Sequence, residues 1–193
     1  MPFYDADKIE VLIDENRLQS RIKELGAEIT ADFKGKGEIV LVCVLKGSYL
    51  FLADLSREID LDLTVDFMSV SSYGDAYKSS GVVRMISDLS ESIEGKNVII
   101  VEDIIDSGLT MSYLIENLKT RRPKSVSVVS LLNKPEKTTA KIKIDYLGFT
   151  IPDRFVIGYG LDFHNKFRNM PFIGVNLAEG MPLSEDHSSS LKR

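Results

Sequence analysis

The chain has 193 residues, which is enough for one globular domain with a sizeable buried core. Its formal net charge of −5 argues against a general nucleic-acid-binding protein, because such proteins need a basic surface. The same charge is compatible with a small polyphosphate ligand, since a metal ion and a few local Lys or Arg side chains can reverse the sign inside a pocket.

We expect a cytoplasmic protein with no membrane partner. The longest apolar runs, such as Ile39 to Leu45, are far shorter than a membrane span. Acidic residues from Asp5 to Glu10 interrupt the region where a secretion signal would need an apolar stretch. The single cysteine, Cys43, excludes a disulfide framework and a cysteine-based metal site, and its strand-like surroundings predict a small core residue.

The first part of the chain predicts a helix, a strand and a second helix. Apolar residues recur at spacings of four, three and four between Asp14 and about Phe33, which predicts an amphipathic helix with Asp14 as its N-cap. The continuous apolar run Ile39 to Leu45 predicts a strand buried on both faces. The turn 46–48 (Lys-Gly-Ser) ends that run, and residues 49–57 are typical of a helix.

The next segments predict strands that flank a long loop. Apolar and polar residues alternate from Leu61 to Phe67, which predicts a strand with one solvated face. Residues 71–81 are rich in Ser, Gly and Tyr and lack a hydrophobic period, so we expect a flexible loop. Val82 to Ile86 is typical of a short strand, and the four aliphatic residues Val98 to Val101 predict a strand buried on both faces.

Helices and strands continue to alternate to the end of the chain. A helix is predicted from about Thr110 to Lys119, and a buried strand from Val126 to Leu132. Shorter strands are predicted at residues 146–147, 155–158 and 172–175. This order is typical of an α/β fold with a mostly parallel sheet between helices. We expect residues 1–182 to form a single domain and the polar, serine-rich residues 183–193 to be a disordered tail.

The segment after Val101 combines two kinds of ligand-binding chemistry. Two adjacent acids, Glu102 and Asp103, follow the predicted strand at the end where open α/β sheets bind ligands. The hydroxyl-bearing loop 106–110 then opens a helix, whose first backbone N–H groups are free to bind a phosphate. Acids attract a cation and the loop attracts a phosphate, so the segment fits a magnesium-bound sugar phosphate. A solvated turn without function is the alternative interpretation.

Three further positions combine charge or aromatic surface with the end or start of a predicted strand. Lys46-Gly47 follows the first central strand, where the glycine permits close backbone approach and the lysine offers a point charge to an anion. Lys134 follows the strand that ends at Leu132, and Phe155 begins another predicted strand. Taken alone, Lys134 is typical of a solvated lysine and Phe155 of a core residue.

The sequence from Val98 to Thr110 resembles the phosphoribosyl-pyrophosphate (PRPP) signature of the type I phosphoribosyltransferases: a hydrophobic strand, Glu-Asp, two aliphatic residues and Asp-Ser/Thr-Gly-x-Thr. Other blocks resemble the hypoxanthine-guanine phosphoribosyltransferases in the same order along the chain. They lie at residues 45–48, 71–74, 134, 153–162 and 166–169. The resemblance implies the type I phosphoribosyltransferase fold, an α/β fold whose mostly parallel central sheet is flanked by helices, with a small hood formed by the chain ends.

The resemblance also implies an enzyme of purine salvage. Such an enzyme uses Mg²⁺ and transfers 5-phosphoribosyl from PRPP to N9 of hypoxanthine or guanine, giving IMP or GMP and pyrophosphate. The resemblance further suggests a homo-oligomer, either a dimer or a tetramer. The alternatives are a phosphoribosyltransferase that prefers xanthine or adenine, and a non-catalytic nucleotide-binding regulator with the same fold. The acidic charge and the lack of room for a DNA-binding module weigh against the regulator.

The roles of individual residues follow from the same resemblance. It implies that Asp106 is the general base for the purine, and that Ser72 and Tyr73 lie on a mobile loop that closes over the site. Ribose-phosphate contacts are implied for Glu102, Asp103, Asp106, Ser107, Gly108, Leu109 and Thr110. Pyrophosphate contacts are implied for Lys46, Gly47 and Arg168, purine contacts for Lys134, Phe155, Val156 and Asp162, and metal contacts for Glu102, Asp103 and Asp162. Leu109 departs from the animal members of the family, which carry lysine there.

Overall fold

The computed structural model describes residues 4, 8–73 and 82–177, and within them the chain forms three helices and eight strands. The helices are α1 (Glu15–Phe33), α2 (Tyr49–Glu58) and α3 (Leu109–Lys119). The strands are β1 (Ile9–Ile13), β2 (Ile39–Leu45), β3 (Leu63–Tyr73), β4 (Val82–Ser87), β5 (Asn97–Ile105), β6 (Ser125–Asn133), β7 (Tyr146–Thr150) and β8 (Ile173–Asn176). In the part of the chain described, no helix is long and apolar enough to cross a membrane.

A six-stranded sheet in the order β4-β3-β2-β5-β6-β7 forms the centre of the molecule. All of its neighbouring strands are parallel except the pair of β3 and the edge strand β4. Side chains of α1 and α2 pack on one face of the sheet and those of α3 on the other. The predicted mostly parallel sheet with helices on both faces is therefore confirmed.

The local patterns of the sequence account for the best-predicted elements. The Asp14 carboxylate caps α1 by accepting a hydrogen bond from the Arg17 backbone N–H at 2.9 Å. The predicted apolar stripe of α1 is buried, and every residue of β2 up to Val44 is buried. Cys43 is a free, buried thiol, and burial, together with the nearby Glu102 and Asp103 charges, raises its pKa to about 12.

Strand β3 differs from its prediction in which face is buried. Val65 and Phe67 are 40% and 43% exposed, whereas Asp66 between them is only 8% exposed. The Asp66 carboxylate accepts hydrogen bonds from the backbone N–H groups of Ser90 and Glu91, at 2.8 and 3.2 Å. These bonds anchor the chain after β4 and offset the cost of burying the Asp66 side chain.

Several element boundaries also differ from the predictions. Strand β5 extends to Ile105, so Glu102 and Asp103 lie within the strand rather than after it. The predicted strand at residues 155–158 is instead irregular chain with isolated bridges, because Gly158 adopts a φ of +94° that ends regular pairing. Strand β3 continues through Tyr73, where we expected loop, and residues 74–81 and 183–193 lie outside the described residues.

A second, two-stranded sheet joins the two ends of the chain. Strand β1, which the sequence patterns did not predict, pairs antiparallel with β8. The bidentate ion pair of Arg154 with Glu10, with both N–O distances 2.7 Å, connects β1 to the chain that follows β7. This small sheet corresponds to the hood that the family resemblance implied.

Candidate active site

Three parallel strands bring the candidate residues to one edge of the sheet. The carboxyl ends of the neighbouring strands β2, β5 and β6 carry Lys46, the Glu102-Asp103 pair and Lys134, respectively. The peptide bond between Leu45 and Lys46 is cis. Ligands bind at such an edge in open α/β sheets.

Gly47 lies directly against the Asp103 carboxylate. A Cβ atom added at Gly47 would lie 1.4 Å from Asp103 Oδ2, so no other residue fits without moving the acid or the turn. The carboxylate is itself held by the Ile104 backbone N–H, which donates to Oδ1 at 2.8 Å. The predicted pyrophosphate turn and the predicted ribose-binding acid are thus one contiguous surface.

Gly160 places Arg168 beside the same turn. Gly160 has a φ of +98°, and a Cβ added there would lie 1.9 Å from the carbonyl oxygen of Gly47. The Arg168 guanidinium donates to the Gly160 carbonyl oxygen at 2.6 Å and pairs with Asp162 Oδ1 at 2.5 Å. A cation therefore lies beside Lys46-Gly47, as an anion-binding site requires.

The two acids of β5 are held in an unfavourable environment. Burial raises the pKa of Glu102 well above its usual range, and the adjacent Asp103 charge raises it further. Burial likewise raises the pKa of Asp103 to about 6, although hydrogen bonds to its carboxylate and the Arg168 charge oppose the shift. Glu102 Oε2 is buried with no hydrogen-bond partner. A buried, partnerless carboxylate oxygen is well suited to bind a hard cation such as Mg²⁺.

Asp162 has different partners from the acid pair. Its carboxylate binds Arg168 and accepts the Asn165 backbone N–H at 2.7 Å. Within residues 8–73 and 82–177, no three His, Cys, Asp or Glu side chains form a ready-made metal site. A metal ion here would therefore take some of its ligands from substrate oxygens or water, as Mg²⁺ commonly does.

Replacing Asp103 by asparagine is expected to stabilise the free protein at pH 8. The folded state keeps its Asp103 proton up to about pH 6, whereas the unfolded chain loses it near 3.8. Stability therefore falls as the pH rises from about 4 through 6, and asparagine removes this loss. We expect thermal melts to show a Tm increase of about 2–6 °C at pH 8 that shrinks towards pH 4.5. An unchanged Tm at pH 8 would contradict the unfavourable burial of Asp103.

The loop before α3 has the geometry of a phosphate cradle. Gly108 adopts a φ of +79° at the N-cap of α3 and has no side chain to cap the helix, while Ser107 Oγ accepts the Leu109 backbone N–H at 3.4 Å. The Ser107 carbonyl oxygen accepts hydrogen bonds from the backbone N–H groups of Thr139 and Ala140 at 3.0 and 3.1 Å. These bonds hold the loop against residues 139–140. The loop surrounds a cavity of about 130 Å³ whose lining includes Glu102, Ser107 and Thr110. Leu109, also assigned to this loop, is 37% exposed as the first residue of α3.

Asp106 is held by its backbone, and its side chain faces outward. The Thr138 hydroxyl lies 2.9 Å from the Asp106 carbonyl oxygen, and the Asp106 side chain is exposed. The residue lines the same cavity as the phosphate loop. Its carboxylate is therefore accessible to a ligand bound above the loop.

Lys134 is buried, which overturns its interpretation as a solvated lysine. The residue is only 7% exposed, and its Nζ lies 3.3 Å from Asp153 Oδ1. Lys137 pairs with the same oxygen at 3.1 Å but has a side chain that is 38% exposed. Burial favours the neutral form of Asp153, but the hydrogen bond from Lys137 and the charges of both lysines hold the Asp153 pKa below its usual value.

Phe155 and Val156 lie on irregular chain between Asp153 and the turn at Gly158. Val156 is 6% exposed, and Phe155 is half-buried with its ring edge-to-face against Phe163 at 5.8 Å between centroids. An aromatic ring that keeps an exposed part can stack on a flat ligand.

Ser72 and Tyr73 are the remaining sequence-predicted site residues. Their backbone forms the last part of β3, where it pairs with Val83 and Val82 of β4. The loop that would close over the site follows them and lies outside the described residues.

Sequence patterns missed two residues that shape this site. Asp153 forms the ion pair with Lys134. Gly160 lies against Gly47 and accepts a hydrogen bond from Arg168, so it places Arg168 beside the turn at Gly47. The only sequence signal for Gly160 was its place between Tyr159 and Leu161 in the block 153–162, and Asp153 gave no signal of its lysine partners.

Comparisons with known proteins show the family of this chain. A family model described as phosphoribosyl transferase domain matches residues 11–164. The hypoxanthine-guanine phosphoribosyltransferase of Bacillus subtilis (strain 168) is 50% identical over 172 residues, covering 89% of this chain and 94% of the relative. The hypoxanthine phosphoribosyltransferase of Escherichia coli (strain K12) is 46% identical over 167 residues, covering 86% of this chain and 94% of the relative.

Solved structures give the same result. A crystal structure of a hypoxanthine phosphoribosyltransferase from Staphylococcus aureus matches with a TM-score of 0.85 and 45% identity, covering 88% of this chain and 92% of the other. A hypoxanthine-guanine phosphoribosyltransferase from Bacillus anthracis, with a HEPES molecule in its active site, matches with a TM-score of 0.83 and 48% identity. That match covers 86% of this chain and 97% of the other.

Proposed function

The chain belongs to the hypoxanthine phosphoribosyltransferases of the phosphoribosyl transferase domain family, and from this membership we propose the reaction that it catalyses. It transfers 5-phosphoribosyl from PRPP to N9 of hypoxanthine or guanine, forming IMP or GMP and releasing pyrophosphate. This is a purine salvage reaction. The observation that carries the proposal is the single edge at which a phosphate cradle, an acid pair, an anion-binding turn and a buried lysine meet.

PRPP binding uses both sides of that edge. The backbone N–H groups at the start of α3 and the hydroxyls of Ser107 and Thr110 hold the 5′-phosphate. Glu102 and Asp103 face the ribose hydroxyls. The pyrophosphate lies against Lys46-Gly47, where Arg168 supplies a further positive charge.

Purine recognition depends on Lys134. Its ammonium group is a fixed donor, since Asp153 holds it at 3.3 Å and it has little exposure to solvent. A 6-oxopurine offers an acceptor to this donor, whereas the 6-amino group of adenine offers another donor and would leave Lys134 unpaired. Phe155 stacks on the base, and the backbone of Val156 reads its edge.

The chain's residues promote transfer by holding the base in line with the breaking bond. The bond between C1′ and the pyrophosphate oxygen breaks ahead of attack by N9, so the sugar develops positive charge while the pyrophosphate gains negative charge. Lys46 and Arg168 stabilise the leaving group electrostatically. Asp106 accepts the proton that the imidazole nitrogens of the purine lose.

Magnesium is the proposed cofactor, and Glu102 with Asp103 would hold it, directly or through water. The partnerless, buried Oε2 of Glu102 supports this assignment. When bound, Mg²⁺ supplies positive charge to ribose and pyrophosphate oxygens. Asp162 is proposed as a further acidic group near a second metal ion.

The first test is pyrophosphate release from PRPP and Mg²⁺ with hypoxanthine, guanine, xanthine and adenine supplied separately. We expect turnover with hypoxanthine or guanine, none with adenine, and loss of activity when a chelator removes Mg²⁺. Turnover with adenine or xanthine alone would reject the purine-site assignment. Tight PRPP binding without turnover of any base would instead indicate a nucleotide-binding regulator.

Replacing Lys134 by alanine is expected to weaken binding of the 6-oxopurine while leaving PRPP affinity within about twofold. Losing a buried charged donor raises the KM for hypoxanthine by about 10–100-fold. Lys137→Ala is the matched control, because Lys137 pairs with the same Asp153 oxygen but is more exposed. Steady-state kinetics with each substrate varied in turn provide the measurement. Equal losses for both substrates would mean that Lys134 has a structural role.

The proposal includes a cytoplasmic homo-oligomer, either a dimer or a tetramer. Three large apolar side chains on β3 and β4 support an interface between copies: Val65, Phe67 and Ile86 are 40%, 43% and 66% exposed. A second copy of the chain could cover such exposed apolar side chains. Light scattering during gel filtration measures the mass. A monomer at micromolar concentration would reject this part of the proposal.

A further inference from the structure

The turn from Gly158 to Leu161 contacts both proposed subsites. Val156, on its amino-terminal side, belongs to the purine subsite. Within the turn, Gly160 lies against the Gly47 carbonyl oxygen, and its own carbonyl oxygen accepts the Arg168 guanidinium at 2.6 Å. A shift of this turn would therefore change the distance between the purine and pyrophosphate subsites.

Tyr159, at the centre of this turn, adopts an unusual conformation. Its φ of +47° is in the left-handed region, which bulky residues rarely occupy, and it lies between two glycines that also have positive φ. Its backbone N–H donates to the Met170 carbonyl oxygen at 2.9 Å. The side chain is only 4% exposed, so the strained backbone directs the phenol inward.

The Tyr159 hydroxyl donates to Asp54 Oδ2 on helix α2. Asp54 also accepts hydrogen bonds from Gln19 of α1, at 2.9 Å, and from Arg57. Burial alone would raise the Asp54 pKa, but these three hydrogen bonds hold it below its usual value. Asp54 is therefore an ionised acceptor, and hydrogen bonds to ionised acceptors are stronger than neutral ones.

Helix α2 in turn is continuous with the pyrophosphate turn. The helix begins at Tyr49, directly after Lys46-Gly47-Ser48, and the Leu52 backbone N–H donates to the Ser48 carbonyl oxygen at 2.8 Å. Ser48 is fully buried, and its hydroxyl donates to the Val44 carbonyl oxygen at 2.6 Å. The position of Asp54 relative to Gly47 is consequently fixed by one short, rigid element.

We propose that Tyr159 is a positioning residue that, through Asp54, keeps the turn Gly158–Leu161 in register with Lys46-Gly47 and thereby sets the affinity for pyrophosphate. The inference rests on the proposed function, because that function assigns pyrophosphate to the turn at Lys46-Gly47. The inference adds a role for Asp54 on α2 and for Tyr159 in the turn Gly158–Leu161, and neither residue needs to contact a substrate.

The test compares Tyr159→Phe with Tyr146→Phe. Tyr146 is a matched control: it is 7% exposed and its hydroxyl donates to Asp32 at 2.7 Å, but it lies at the start of β7, away from the carboxyl ends of the strands. Calorimetry with magnesium pyrophosphate measures binding without turnover, and thermal melts measure stability. We expect similar Tm losses in both variants but pyrophosphate affinity about tenfold weaker only in Tyr159→Phe.

Wild-type affinity in Tyr159→Phe would overturn the inference, and so would equal weakening in both variants, which would indicate general loosening. If the wild-type protein binds pyrophosphate but turns over no purine, the proposed function fails while the comparison of variants still decides the inference. If the wild-type protein binds no pyrophosphate, the proposed function and the inference about Tyr159 are both rejected.

Discussion

Replacing Asp106 by alanine is expected to lower kcat by about 10²–10⁴-fold, which is the usual contribution of a positioned general base. The loop should keep its shape in the variant, because its contacts with Thr138 and Thr139 use the backbone carbonyl oxygens of Asp106 and Ser107. The exposed Asp106 carboxylate can approach a purine bound above the loop, where it would accept the proton that N7 or N9 loses.

The measurement is rapid-mix kinetics of the Asp106→Ala and Asp106→Asn enzymes together with PRPP affinity by calorimetry. Asparagine retains the size of the side chain but cannot accept the proton, so both variants should lose similar amounts of kcat. PRPP binding should remain within a few-fold of wild type in Asp106→Asn. A kcat reduced only a few-fold in both variants would remove Asp106 from the role of base.

Replacing Gly47 by alanine is expected to weaken PRPP binding by about 10²-fold, because displacements of about 1 Å at a substrate-positioning contact have effects of that order. The added Cβ would lie 1.4 Å from Asp103 Oδ2 and must move either the carboxylate or the turn. Neither moves freely, since Ile104 holds the carboxylate and Gly160 lies against the Gly47 carbonyl oxygen.

Gly35→Ala is the control for this substitution. A Cβ at Gly35 meets no atom within 4 Å, but its φ of +74° makes alanine unfavourable by about 1–2 kcal/mol. Both variants should therefore lose stability, whereas only Gly47→Ala should raise the KM for PRPP. A Gly47→Ala enzyme with a PRPP KM within threefold of wild type would show that this turn does not contact the pyrophosphate.

Features encoded by near neighbours in the chain could be predicted from the sequence. The period of four, three and four in α1 and the Asp14 cap lie within a few residues of each other, and the structure confirms both. The apolar run of β2 was predicted with the bounds that the structure has. The acid pair and the phosphate loop were also local features. Fewer than ten residues contain the two acids, the end of strand β5 and the start of helix α3.

Features that depend on which strand lies beside which were decided by the tertiary structure. Periodicity predicted that Val65 and Phe67 share the buried face of a strand, but both are exposed, whereas Asp66 is buried because the chain after β4 supplies its hydrogen-bond donors. Lys134 looked solvated because its partner Asp153 is 19 residues away on another element.

The residue types of the candidate site could therefore be read from the sequence, and their geometry could not. Hydrogen-bond capping, turn formation and hydrophobic periodicity act over a few residues, so they leave a pattern in the chain itself. Contacts such as Gly47 with Asp103, or Tyr159 with Asp54 across 105 residues, arise only after sheet order and register bring distant segments together. No local pattern records them, because the energy of each contact depends on the whole packed fold.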